Sequence, residues 1–137
     1  MPHLIGVHHL SLSVTDRAVS TAWYSRVFGF RAHSEVESAT FTRTRLRHPT
    51  ASLTLTLTQH ATVGDDRFDP QRVGLDHLAL QVGSLGEVHG YAELLDQLGV
   101  EHAPVTLHGD PPQSALVAFR DPDGIQLEVF AVEETLG

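Results

Sequence analysis

Residues 6–14 read GVHHLSLSV, and residues 74–82 read GLDHLALQV. The two stretches lie 68 positions apart, so that Gly6 matches Gly74, His9 matches His77 and Val14 matches Val82. Strict alternation of apolar and polar residues is the signature of a strand with one buried face. In the first copy Leu10, Leu12 and Val14 share a face, with His9, Ser11 and Ser13 opposite. In the second, Leu78, Leu80 and Val82 oppose His77, Ala79 and Gln81. A chain that writes one strand twice, histidine included, predicts an internal duplication.

The flanking sequence extends the repeat. DRAVSTAWYSRVFGF, residues 16–30, predicts a helix in which Val19, Trp23 and Val27 recur at helical spacing before Gly29 stops it. SLGEVHGYAELLDQLGV, residues 84–100, predicts a second helix carrying Val88, Tyr91, Leu95 and Leu98 and stopped by Gly99. Three short extended runs follow each helix: residues 31–37, 39–47 and 53–58, then 101–107, 115–120 and 125–132. Each half therefore reads strand, helix, strand, strand, strand. We expect one domain over residues 1–137, with module one at 1–63, a polar linker at 64–72 and module two at 73–137. HGDPPQS, residues 108–114, predicts a hairpin or mobile loop over the cleft. DPDG, residues 121–124, predicts a tight turn into the last strand. In the tail, VEETLG, the last residues are expected to fray.

The leucine faces require burial, and the two helices are the available partners. The opposite faces carry His9, His77 and, in IQLEVF, the glutamate Glu128, which shares its parity with Gln126 and Phe130. Two imidazoles and one carboxylate make a ligand set with open positions for water or substrate.

Composition bounds the rest. The chain has 137 residues, no cysteine, nine basic and seventeen acidic residues, and a net charge of −8. Disulfides, thiolate sites and cysteine nucleophiles are excluded, and a net negative charge argues against nucleic-acid binding. No apolar run approaches the roughly 20 residues of a membrane span, and the N-terminus lacks a secretory pattern. A cytoplasmic protein acting on a small molecule, with no membrane partner, is the expectation.

With HHLSLSVTD, WYSRVFGF, DHLALQV and FRDPDGIQLEVF in place, the chain resembles the vicinal oxygen chelate superfamily of glyoxalases, extradiol dioxygenases and fosfomycin- and bleomycin-resistance proteins. The resemblance covers nearly the whole chain. It implies an α+β fold of two βαβββ modules forming a half-open barrel around a central cleft, commonly in a homodimer. It also implies one divalent metal (Fe, Mn, Ni, Zn or Co) held by His9, His77 and Glu128. The implied activity is glyoxalase-like lyase or isomerase, or extradiol-type dioxygenase, chemistry on a substrate that chelates the metal through vicinal oxygens. A non-catalytic, bleomycin-resistance-like binder is the alternative.

The departures are specific. The corner where glyoxalase I has a second carboxylate falls at Thr54 or Thr56, and the position of its glutathione-contacting arginine is Ser13. The tyrosine that extradiol and fosfomycin enzymes carry ten residues before the glutamate is Ala118. Ser11 is a hydroxyl counterpart of a fosfomycin-enzyme threonine. His60, seventeen residues before His77, is the candidate general base. Arg43, Arg45 and Arg47 share one strand face, read as a solvated stripe or an anion-binding wall. His8 is read as structural or exposed; His102 and His108 fall in or near the loop of the second half, and His108 is read as solvated or, with that loop over the cleft, as reaching the substrate.

Overall fold

The repeat in sequence becomes a repeat in structure. A computed structural model describes residues 1–133; the expected fraying of the tail concerns residues that lie outside the described ones. The chain divides into two units, residues 1–66 and 67–137. Unit 1 runs β1 (His9–Ser13), α1 (Arg17–Phe28), β2 (Arg31–Glu37), β3 (Phe41–Arg47) and β4 (Thr54–His60). Unit 2 runs β5 (Leu78–Gln81), α2 (Leu85–Gln97), β6 (Thr106–His108), β7 (Ser114–Arg120) and β8 (Gln126–Val132). Each is a βαβββ module with a four-stranded mixed sheet, ordered β1-β4-β3-β2 in one and β5-β8-β7-β6 in the other.

In both sheets the first strand pairs in parallel with the last, and the other neighbours are antiparallel. The helix supplies the crossover that a parallel pair demands. Each crossover helix starts on a side-chain cap at the same repeat position. Asp16 Oδ1 accepts from Val19 N at 3.1 Å, and Ser84 Oγ accepts from Glu87 N at 3.2 Å. Glu87 then reaches back to the Gly83 N–H at 2.9 Å, a contact for which Val19, at the matching position of unit 1, has no carboxylate. Gly29 ends α1 at φ +81, a left-handed conformation that glycine adopts without steric cost.

The core of each unit lies between helix and sheet. Helix α1 packs on β3 and β4, and α2 on β7 and β8. Leu46, Leu55 and Leu57 close unit 1, and Val117, Leu127 and Val129 close unit 2. Burying one such side chain contributes about 1.5–3 kcal/mol. The stripe of α1 differs from the expected one. Val19 is 52% exposed, and Ser20, Trp23, Tyr24, Val27 and Phe28 face the sheet. That set recurs at i, i+3, i+4, the spacing of a wide core-facing stripe. Tyr24 is fully buried and stacks on Phe28 at 6.0 Å.

One strand is much shorter than its sequence suggests. Residues 101–107 yield only Thr106–His108, preceded by an isolated bridge from His102 to Phe119. Pro104 has no N–H to give a ladder, so pairing stops around it. Residues 108–114 form a tight hairpin, closed by Gln113 N donating to His108 O at 2.7 Å.

Candidate functional site

The turn at residues 121–124 sets the position of Glu128. Asp121 is buried, and its Oδ1 accepts from both Asp123 N and Ile125 N at 2.9 Å. Gly124, at φ +80, completes the turn by donating to Asp121 O at 3.0 Å. From this anchor β8 starts in a fixed register, with Leu127 and Val129 toward α2 and Gln126, Glu128 and Phe130 on the other face, here called the open face. Across the sheet Glu128 sits opposite Ala79 on one side and Ala118 on the other. Both neighbours are small.

His77 lies one residue before β5, and its Nε2 is 3.6 Å from Glu128 Oε2. Its other nitrogen, Nδ1, donates to Asp76 Oδ1 at 2.6 Å. A carboxylate on one ring nitrogen fixes the tautomer and leaves the other nitrogen's lone pair available, the usual support of a metal-ligating histidine. The Asp76 hydrogen bond raises the His77 pKa above its ordinary value of 6.5, burial opposes it, and the charge of Glu128 adds to the rise. The Glu128 side chain is 14% exposed, and among the described residues it faces this imidazole as its charged-pair partner. A free ring nitrogen facing a nearly buried carboxylate is a donor set that suits a divalent cation. The structure brings these two predicted ligands together.

The third predicted ligand, His9, opens β1 in unit 1 and is exposed. Its Nδ1 lies 2.8 Å from Nδ1 of His8. The arrangement echoes unit 2, where the preceding residue, Asp76, also occupies the Nδ1 of its histidine. His8, expected to be structural or exposed, is exposed and occupies the place in unit 1 that Asp76 occupies in unit 2. Among the described residues, no group of three His, Asp or Glu side chains is gathered closely enough to hold a metal ion.

Register decides the fourth corner. In unit 1 Leu10 pairs with Leu55 and Ser11 with Thr56; in unit 2 Leu78 pairs with Leu127 and Ala79 with Glu128. Thr56, rather than Thr54, is therefore the counterpart of Glu128. Its side chain is 3% exposed, and its Oγ1 is buried without a hydrogen-bond partner. Beside it, Ser11 Oγ and Thr58 Oγ1 are 3.0 Å apart, and Arg43 Nε donates to Thr58 Oγ1 at 2.8 Å.

His60 ends β4 opposite Phe41 and is exposed. His9 aligns with Thr54 at the other end of that strand. Six residues of strand separate them, roughly 20 Å at about 3.3 Å per residue. The sheet thus keeps the candidate base away from the candidate ligand of its own unit.

A feature that sequence reading missed lies near Gln126. Unit 2 holds a cavity of about 640 Å³, lined by residues 100–103 and by Ala118, Phe119, Arg120 and Gln126. His102 at its wall donates from Nε2 to Asp96 Oδ1 at 2.8 Å and from Nδ1 to Ala103 O at 2.7 Å. Both partners are acceptors, so the arrangement favours the protonated ring. Accordingly its pKa is raised, first by the Ala103 carbonyl and then by Asp96. The ring ties the end of α2 to the strand entering β6.

Comparison with known proteins agrees with this architecture. The family model described as Glyoxalase/Bleomycin resistance protein/Dioxygenase superfamily matches residues 6–129. The chain is 30% identical, over 131 residues, to the uncharacterized protein YaeR of Escherichia coli (strain K12), covering 90% of this chain and 94% of that one. A glyoxylase/bleomycin resistance protein/dioxygenase domain from Frankia sp. EAN1pec superposes with a TM-score of 0.86 at 31% identity, over 96% of this chain and all of that one. A FosX variant from Listeria monocytogenes, complexed with Mn(II) and 1S,2S-dihydroxypropylphosphonic acid, superposes with a TM-score of 0.70 at 25% identity, over 98% and 94%. No helix among the described residues is long and apolar enough to cross a membrane.

Proposed function

We propose that this chain, which belongs to the Glyoxalase/Bleomycin resistance protein/Dioxygenase superfamily, is a metal-dependent enzyme acting on a small molecule with two neighbouring oxygens. In this reading His9, His77 and Glu128 hold one divalent ion. The observation that carries it is the meeting of His77 Nε2 and Glu128 Oε2 at 3.6 Å, with the ring oriented from behind by Asp76. When bound, such an ion supplies Lewis-acid polarisation of the chelating oxygens, which lyase, isomerase and dioxygenase chemistry all require. Two imidazoles and a carboxylate accept Mn, Fe, Co, Ni or Zn.

The remaining roles belong to the chain itself. Asp76 holds His77 in one tautomer. Ala79 and Ala118, the cross-strand neighbours of Glu128, leave room where a bulky residue would crowd the carboxylate. The adjoining cavity supplies volume for a small substrate. The general base read at His60 lies at the far end of β4, and the proposal gives it no role in proton transfer at His9. Homodimer formation fits the apolar residues exposed before each histidine, Leu4, Ile5 and Val7 before His9 and Val73 and Leu75 before His77. Sedimentation equilibrium would test that assembly.

Metal titration of chelator-treated protein is the decisive experiment. One equivalent of a first-row divalent ion is expected to bind the wild-type chain and to be lost in each of His9→Ala, His77→Ala and Glu128→Gln. Binding well below one equivalent, or binding that survives all three substitutions, would overturn the reading.

A further inference from the structure

The open face of the unit 1 sheet carries a charge pattern that metal ligation does not use. The nine Lys and Arg residues of the chain are all arginine, set against seventeen acidic residues. Four of the nine fall on this one face. Arg43, Arg45 and Arg47 alternate along β3 and pair with Thr58, Thr56 and Thr54 of β4. Arg31, on β2, pairs directly with Arg47. A one-residue irregularity between Ala32 and Ser34 then sets Ser34 opposite Arg45 and Val36 opposite Arg43. The carboxylates of β2, Glu35 and Glu37, pair instead with Thr44 and Thr42, on the face toward α1. There Glu35 neutralises Arg17 at 2.8 Å. The arginine face thus has no carboxylate in its strands, and none of its four guanidinium groups has an ion-pair partner among the described residues.

Like charges set directly opposite on neighbouring strands repel. A sheet that keeps Arg31 against Arg47, and moves its own acids to the other side, is arranged for an anion from outside. Two further observations give that anion a place. Arg43 is held rather than solvated: its Nε donates to Thr58 Oγ1, and its guanidinium carbon sits 4.4 Å from the centre of the Phe41 ring. This leaves the terminal nitrogens of a preset planar fork to be shared with an oxyanion. On the next rung of the same face, between Ser11 and Arg45, lies the buried Thr56 hydroxyl, which has no partner. A buried hydroxyl without an acceptor is costly unless a ligand completes it.

We propose that this face is an oxyanion subsite, in which Arg43 and Arg45 bind a carboxylate or phosphoryl group and the Thr56 hydroxyl donates to it. The substrate of the chain is accordingly an anion as well as a chelator. That last assignment rests on the function proposed above; the subsite itself does not.

The test is calorimetric titration of chelator-treated wild-type protein with inorganic phosphate and with malonate, at ionic strength held constant with chloride. Saturable one-to-one binding of either anion is expected, and the tighter one identifies the group as phosphoryl or carboxylate. Arg43→Gln and Arg45→Gln are expected to weaken it about tenfold or more. Arg43→Lys, which keeps the charge and loses the fork, is expected to weaken it nearly as much. Thr56→Val is expected to weaken anion binding about threefold while leaving thermal stability equal or higher, an outcome that a purely structural hydroxyl would not give. Arg26→Gln, at the exposed end of α1, controls for general charge. Absence of saturable binding, or equal losses in Arg26→Gln and Arg43→Gln, overturns the proposal. Because no metal is present in the titration, failure of the metal reading with phosphate binding intact, or the reverse, separates the two.

Discussion

The two units share one plan and differ on one surface. On the helix side they are close copies. Leu55 and Leu127 occupy the same register, as do Leu57 and Val129, and the bond that ends the parallel pairing recurs as Val14 N to Thr58 O and Val82 N to Phe130 O, each 2.9 Å. On the open side, unit 1 offers hydroxyls and unpaired arginines, whereas unit 2 offers an oriented imidazole, one nearly buried carboxylate and small or apolar neighbours. Packing constrains the covered side because volume changes there cost stability. The open side is free to diverge once the scaffold stands, and there the two copies differ. Thr56 and Glu128, identical in position, mark how far the copies have separated.

The difference predicts where substitutions act. The largest effect is expected at the carboxylate corner: Glu128→Gln and His77→Ala should abolish metal retention, measured by elemental analysis after dialysis, with folding intact by circular dichroism. Substitutions at the covered side should do the opposite. Leu55→Ala and Leu127→Ala should each cost about 2–5 kcal/mol in denaturant unfolding while leaving metal uptake by the remaining folded protein unchanged. If one of the two cost far less than the other, the symmetry of the cores would be broken. Asp76→Asn is expected to lie between these, weakening metal binding by about 10–100-fold without destabilising the chain. The pair His8 and Asp76 sharpens the comparison: His8→Ala should matter less, because an imidazole is a weaker orienting partner than a charged carboxylate.

A pH dependence should belong to unit 2. The folded state raises the pKa of His102 above 6.5, so the fold holds that proton more tightly than the unfolded chain does. Its contribution is complete below the unfolded pKa and is lost as pH rises through the higher folded value. Stability measured by denaturant unfolding should therefore fall as the pH rises past the ordinary histidine value of 6.5, and His102→Gln should remove part of that slope. The raised pKa of His77 has a related consequence, since a proton competes with a metal for Nε2, and metal affinity should drop on acidification. The smallest effects are expected at the helix starts, where Asp16→Ala and Ser84→Ala should each cost about 1 kcal/mol. The Ser84 loss should be the lesser, because Glu87 still holds the Gly83 amide.

The sequence made the architecture legible because alternation and helical spacing are local, and a duplication shows both twice. It also gave the parity of His9, His77 and Glu128. What it left open depended on pairing between distant strands. Thr54 and Thr56 have the same parity, and only the alignment of Ser11 with Thr56 separates them. Val19 fits a helical repeat with Trp23 and Val27 as well as Ser20 fits one with Tyr24 and Phe28; the sheet beneath decides. The truncation of β6 had a visible cause in Pro104, whereas the cavity beside His102 had none, since it forms where the chain returns beside β7. Asp76, in plain view before His77, and His8 before His9 could have been read from the repeat as matched supports.

The buried Asp121 turn works as a length gauge for everything downstream. Side chains along a strand alternate sides, so one residue inserted between Gly124 and Gln126 would carry Glu128 into the oil beneath the sheet and turn a leucine or valine toward His77. The spacing between that aspartate and that glutamate therefore decides the face on which Glu128 stands as firmly as the identity of either residue does.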